Sequence, residues 1–287
     1  MIDEYQIIIC GMVANIELTG YNYVSLAAIE SWQKPDFVDK VLIVDGKSID
    51  NTVSNINNIH STKIEVITSI EWPITSWTWD IIQSIENSAI SHVNSIKHKK
   101  KILMMVSSDT VFTDSSSEEL ENACKKLIEQ KKFDYINHTF KKAITANFVS
   151  ENYPILSSWY VCSIMKFQEN IEWKEVSKGE CDIVTNRPIN GLNYDFKSVP
   201  ICYDLFNFTS EQIRKKIERH VDFVNKQKPS VQEYIVNFWI KKLNNIGIKN
   251  FKYDEHPNES KKFIDKLSLE NFGHSLFNNV HHIKTKY

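Results

Sequence analysis

The sequence predicts an α/β fold built on a mostly parallel sheet covered by helices. Two features of the first half of the chain carry this expectation. Short, continuously apolar runs recur there, as in strands buried on both faces, and the stretches between them have helical spacing. A length of 287 residues suits one large domain, or one domain with an extension.

The elements follow in order. Residues 5–13 (YQIIICGMV) form the first apolar run, and residues 21–32 carry Val24, Ala27, Ala28 and Ile29 at helical spacing. Residues 38–44 (VDKVLIV) make a second buried strand that ends at Asp45. A polar helix over 50–59 leads to a third strand over 63–68 (KIEVIT). Ile81, Ile82, Ile85, Ala89, Val93 and Ile96 then mark one apolar face of a helix over 81–96. Residues 102–106 (ILMMV) form the fourth strand and run into SSDTVF. A helix over 115–132 opens on Ser115 to Ser117, with Glu118 and Glu119 in its first turn. Past residue 133 the pattern changes to strand-like pieces (133–140, 159–167, 198–206) among polar turns. A helical stretch over 210–247, broken at Pro229, precedes a polar, weakly patterned tail. The expected division is a sheet domain over 1–208 and a helical extension over 209–287.

Composition narrows the function. A net charge of −2 gives no overall signature of nucleic-acid or anionic-membrane binding. The lysine runs (Lys97, Lys99, Lys100 and Lys101; Lys215 and Lys216) read as solvated helix ends and strand entries. Five scattered cysteines form no CxxC pair, against zinc ribbons and thioredoxin-like chemistry, and Cys10 reads as a reduced core residue. Only 7 glycines are present, which argues against glycine-rich phosphate loops as the main device. No signal-like start and no apolar run of membrane-spanning length is seen, so a cytoplasmic location is expected.

In an open α/β sheet, ligands bind outside the carboxyl ends of the strands. Three polar clusters fall there: Asn15 and Glu17, then Asp45 with Ser48 and Asp50, then Asp109. An acid in such a place accepts hydrogen bonds from a base or ribose, ligates a metal, or caps the next helix. Capping is the expected role of Asp50, which opens a helix directly. Asp45 and Asp109 read as site residues.

These same stretches carry a resemblance. MVANIEL (12–18), VLIVDGKSIDNT (41–52) and ILMMVSSDTVF (102–112) resemble family 2 glycosyltransferases and their GT-A relatives. Asp45, Ser48, Asp50 and Thr52 fill the family's Val-Asp-x-x-Ser-x-Asp-x-Thr element, and Asn15 with Glu17 approximates its Asn-Glu-like pair. Ser107 departs from the pattern, standing where the family usually has the first acid of Asp-x-Asp and leaving Asp109 as the surviving carboxylate. The resemblance covers about the first 115 residues well and the rest loosely.

The resemblance implies a GT-A fold and a hexosyltransferase-like enzyme. It implies inverting transfer from a nucleoside diphosphate sugar to an acceptor hydroxyl on a glycan, a protein or a modified nucleic acid. Asn15, Glu17, Asp45 and Ser48 would hold the nucleotide, and Asp109 would hold Mn²⁺ or Mg²⁺, which suit oxygen ligands. Inverting transfer also needs a carboxylate base. Glu180 and Asp182 in SKGECDIV are the candidates, with Glu180 preferred as a loop residue and Asp182 expected to start a strand. Tyr203, Asp204, Arg214, Lys215 and His220 loosely resemble a family segment near the diphosphate. Trp72, Trp77 and Trp79 suit either stacking on a sugar or base or helix packing. His274, His281 and His282 read as solvated. Two other functions share such a sheet. Nucleotidyl transfer would want a glycine-rich basic loop after the first strand, which CGMVANIELTGY lacks; a non-catalytic binding protein would fit the reduced acid pair.

Overall fold

The computed structural model describes residues 1–19, 22–73, 79–137, 141–145, 148–150, 163–169, 171–177, 180–184, 188–203, 248–250, 254, 256–258 and 260–261. Strand β1 (Gln6–Val13) pairs in parallel with β2 (Lys40–Asp45), and β2 pairs in parallel with β3 (Ile64–Thr68). Helices α1 (Asn22–Gln33) and α2 (Thr52–Asn57) connect these strands. After α3 (Trp79–Ser95), β4 (Lys101–Met105) joins the other side of β1, again in parallel. Chain order therefore reverses between β1 and β4.

Three further strands, β6 (Tyr135–Asn137), β9 (Ser163–Lys166) and β12 (Gly191–Leu192), complete a seven-stranded sheet of order β12-β6-β9-β4-β1-β2-β3. Only β9 runs against its neighbours. This is the expected α/β class, a mostly parallel, helix-flanked sheet.

The apolar runs alternate with period two, as pleated strands must. Ile7, Ile9, Val41, Ile43, Ile102 and Met104 face one core, with Val24, Ala28 and Ile29 of α1 and Ile56 of α2. Ile8, Cys10, Leu42, Val44, Leu103 and Met105 face the other, with Ile82, Ile85, Ala89 and Val93 of α3. Each strand is apolar on both faces because each face has its own helical cover.

A second sheet carries the chain away from the first. Strand β5 (Thr110–Val111) follows the SSD turn and pairs with β13 (Ile201–Cys202), which joins β7 (Lys141–Thr145), β8 (Phe148–Ser150) and β14 (Ile248–Asn250) in the order β14-β8-β7-β13-β5. Helix α1 clamps β5: Trp32 Nε1 donates to the Thr110 carbonyl at 2.7 Å, and Phe112 N to Ser31 Oγ at 2.9 Å.

Several expectations need correction. Helix α4 (Asp114–Glu129) is capped by Thr113 in a reciprocal box with Ser116, and the serine run lies inside the helix. Lys101 is buried, its Nζ donating to the Val93 carbonyl at 2.8 Å over the Phe167 ring. Beyond residue 208, β14 pairs with β8, and His256 is buried against Tyr203. The helical stretch over 210–247, with Arg214, Lys215 and His220, lies outside the described residues, as do Asp204, Trp77, His274, His281 and His282.

Candidate functional site

The loops after β1 and β2 are joined by side chain to backbone hydrogen bonds. Asn15 is buried and left-handed (φ 48°), a conformation that asparagine tolerates better than most residues. Its N–H donates to Ser48 Oγ at 2.7 Å, and its Oδ1 accepts from Ile49 N at 2.8 Å. Ser48 Oγ in turn donates to Asp45 Oδ1 at 2.5 Å, and Ser48 N donates to Asp45 Oδ2 at 3.1 Å. Asp45 is 2% exposed at the end of β2. A carboxylate offers about four lone-pair sites, so these bonds leave it acceptor capacity.

Asp50 joins the same network. Its Oδ2 accepts from the backbone N–H groups of Glu17 and Leu18 at 3.0 Å each, while Oδ1 accepts from Thr52 N at 3.0 Å and from Thr52 Oγ1. Burial pushes its pKa up, but the bonds from Thr52, Leu18 and Glu17 together outweigh that and hold the carboxyl below its ordinary value. Asp50 thus serves the start of α2 and the β1 loop together, a wider role than capping. Glu17 is exposed, its Oε2 accepting from Asn51 N at 3.2 Å and Asn51 Nδ2 at 2.9 Å. The four expected nucleotide residues and Asp50 therefore form one unit.

Gly46 lets this unit close over the sheet. A Cβ there would stand 2.6 Å from Trp72 Cβ, and Trp72 N donates to the Gly46 carbonyl at 2.9 Å. Trp72 packs half-buried on the β2 loop; of Trp79 only the backbone, in α3, is described.

Asp109 stands at the junction of the two sheets, 8% exposed. Its carbonyl accepts from Tyr203 N at 2.8 Å, and its Oδ1 lies 3.5 Å from Cys202 Sγ and 3.5 Å from Thr110 Oγ1. Since β2 and β4 flank β1, their carboxyl ends lie about 10 Å apart, two strand spacings. Beside Asp109, Tyr203 stacks on His256, with its hydroxyl 2.8 Å from Nδ1. His256 comes from the tail that sequence reading left as unpatterned.

A cavity of about 60 Å³ lies between α3 and the sheet, beside the ends of β1 and β4. It is lined by residues 10–12 of β1, Val44, Trp72, residues 105–108 at and after β4, and Glu86 and Ala89 of α3. Glu86 is 3% exposed, its Oε2 has no hydrogen-bond partner among the described residues, and burial raises its carboxyl to about 8. Sequence reading missed it, although a signal existed. Glu86 falls four residues after Ile82 and three before Ala89, on the apolar stripe itself.

Glu180 and Asp182 belong to another sheet. They belong to β11 (Glu180–Val184), which pairs with β10 (Glu172–Ser177) in a separate two-stranded sheet, with β10 against α3. Glu180 pairs with Ser177 and is the first residue of the strand, which corrects its expected place in a loop; Asp182 pairs with Lys174 inside the strand. Among the described residues no group of three or more His, Cys, Asp or Glu could hold a metal, and no helix is long and apolar enough to cross a membrane.

No family model matches the sequence, and no curated protein matches it. Solved structures do resemble it. Over 98% of this chain and 91% of the other, it is similar to S. aureus TarS 1-349, with 14% identity and a TM-score of 0.45. It is similar to a mannosyltransferase from Pyrobaculum calidifontis in complex with GDP-Man and Mn²⁺ at 17% identity and a TM-score of 0.31, over 47% of this chain. A 4-diphosphocytidyl-2C-methyl-D-erythritol synthase from Anaerococcus prevotii is similar at 14% identity and a TM-score of 0.35, over 49% of this chain. The chain spans 57% of the length of this synthase and 35% of that of the mannosyltransferase.

Proposed function

We propose that the chain is a glycosyltransferase of the GT-A type, hexosyltransferase-like, which moves a sugar from a nucleoside diphosphate sugar to an acceptor hydroxyl with inversion. The supporting observation is the position of the cavity. It is lined by residues at the carboxyl ends of β1 and β4, where chain order reverses, the place where open α/β sheets take nucleotides. The joined loops carrying Asn15, Glu17, Asp45 and Ser48 lie on one side of it, and the turn carrying Asp109 follows β4 on the other. Their motif, Val-Asp-x-x-Ser-x-Asp-x-Thr, resembles that of family 2 glycosyltransferases. The catalytic unit is residues 1–208, with 209–287 as an extension docked through β14 and His256.

In this reading Asp45 uses its remaining acceptor capacity on a base or ribose group, and Ser48 holds it in place. Asn15 and Glu17 fix the two loops as one surface for the nucleotide. Among the described residues, a divalent metal fits as a substrate-borne ion. The turn after β4 offers one carboxylate, Asp109, with Ser107 and Ser108 beside it, and diphosphate and water would supply further oxygens, as Mg²⁺ and Mn²⁺ accept. When bound, that ion would neutralise charge on the departing diphosphate. Glu180 is the proposed base that takes the acceptor proton, with Asp182 as the second candidate.

Incubation with a panel of nucleoside diphosphate sugars and Mn²⁺, read as release of nucleoside diphosphate, tests the proposal. Turnover of at least one donor supports it. Binding of nucleoside diphosphates with no release from any donor, with and without acceptor hydroxyls, overturns the enzymatic reading.

A further inference from the structure

We propose that Glu86 reads the nucleobase of the donor, its carboxyl lining the cavity between α3 and the ends of β1 and β4 and hydrogen-bonding the edge of a planar heterocycle that enters beside Trp72. The inference deepens the nucleotide reading above and rests on it. Three observations lead to it. A carboxyl oxygen with no partner among the described residues is costly inside an apolar core, yet Glu86 Oε2 is one. Its neighbours Cys10, Val44, Ala89 and Met105 would pack well against an apolar residue in its place. And the cavity that Glu86 lines is also lined by Met12, Ser107 and Ser108 at the strand ends.

The cavity's chemistry narrows the ligand. At about 60 Å³ the cavity has room for the edge of a ring. Among the described residues the walls near Glu86 carry no cation to meet an anionic group. Cys10 is the one other titratable group among the described lining residues; burial above all pushes its thiol up and keeps it neutral. A protonated carboxyl presents an O–H donor beside a carbonyl acceptor. Every common nucleobase has an edge with a donor next to an acceptor, and Trp72 offers such a ring an aromatic surface.

Calorimetric titration tests this with uridine and guanosine diphosphates, each with Mn²⁺, and with Mn²⁺-pyrophosphate as a control that lacks a base. Glu86→Leu should weaken binding of the preferred nucleotide about tenfold or more, the effect of one lost buried hydrogen bond, and leave pyrophosphate binding unchanged. Glu86→Gln, which keeps a donor beside an acceptor, should bind within a few-fold of the wild type. Should Glu86→Leu fail to fold, Ala89→Met fills the same cavity from α3 and should produce the same selective loss. Wild-type nucleotide affinity in the folded Leu or Met variant overturns the inference and leaves the nucleotide site standing. Equal loss of pyrophosphate binding also overturns it, by showing general damage. A wild-type protein that binds pyrophosphate but neither nucleotide overturns both this inference and the reading beneath it.

Discussion

The hydroxyl of Ser48 accepts the backbone N–H of Asn15 at 2.7 Å, which makes the loops after β1 and β2 a single surface. The same hydroxyl donates to Asp45, so one atom takes part both in the loop junction and in holding the carboxylate expected to meet the nucleotide. Ser48→Ala removes both bonds. It should lower unfolding free energy by about 1–3 kcal/mol and weaken nucleoside diphosphate binding in parallel. Urea denaturation and calorimetry on the same preparation check this; an unchanged midpoint would show that the junction does not depend on the hydroxyl.

Glu86 predicts an unusual pH dependence of stability. Burial raises its carboxyl from 4.5 to about 8, so between those values the folded chain holds a proton that the unfolded chain has released. This contribution is fully present below about pH 4.5, declines as pH rises, and is gone above about 8, each unit being worth up to about 1.4 kcal/mol. Glu86→Gln cannot ionise and should flatten that slope. Denaturation midpoints of the two proteins between about pH 5.5 and 8 decide it, and parallel slopes would contradict the assignment.

Much of this was legible in the residues, for a physical reason. Strands covered on both faces must be apolar throughout, so β1, β2 and β4 declare themselves, and the acids at their ends mark the edge proposed to bind the nucleotide. Asn15, Asp45 and Ser48 come together because the strands that carry them are neighbours. Glu86 was hidden because one acid on an apolar stripe looks like an interruption until the cavity beneath it is seen. His256 was hidden because its partner Tyr203 lies 53 positions away, beyond any local pattern. The register of the β10–β11 hairpin is likewise set by pairing across strands, so Glu180 read as a loop residue.

Asp109→Asn tests the metal. Replacing a carboxylate by an amide keeps the shape and removes the charge. Nucleoside diphosphate affinity in Mn²⁺ should fall to the value the wild type shows in EDTA, while affinity in EDTA stays unchanged. Retention of the full Mn²⁺ effect in the variant would remove Asp109 from the metal.

Glu180→Gln tests the base. A positioned base contributes about 10²–10⁴-fold, so turnover should fall by that order with donor affinity nearly unchanged. Asp182→Asn is the matched comparison. Wild-type turnover in the first with loss in the second moves the role two residues along β11, and loss of thermal stability in either marks a carboxylate that serves the hairpin.

The nucleotide site at the β1–β4 reversal is the centre of the account, and a crystal structure with nucleoside diphosphate and Mn²⁺ tests it most directly. The account predicts the base beside Trp72 above Glu86, the ribose within hydrogen-bond reach of Asp45, and the metal bound by Asp109 directly or through one water. A nucleotide bound away from the carboxyl ends of β1, β2 and β4, or a metal on the diphosphate with Asp109 uninvolved, would contradict it.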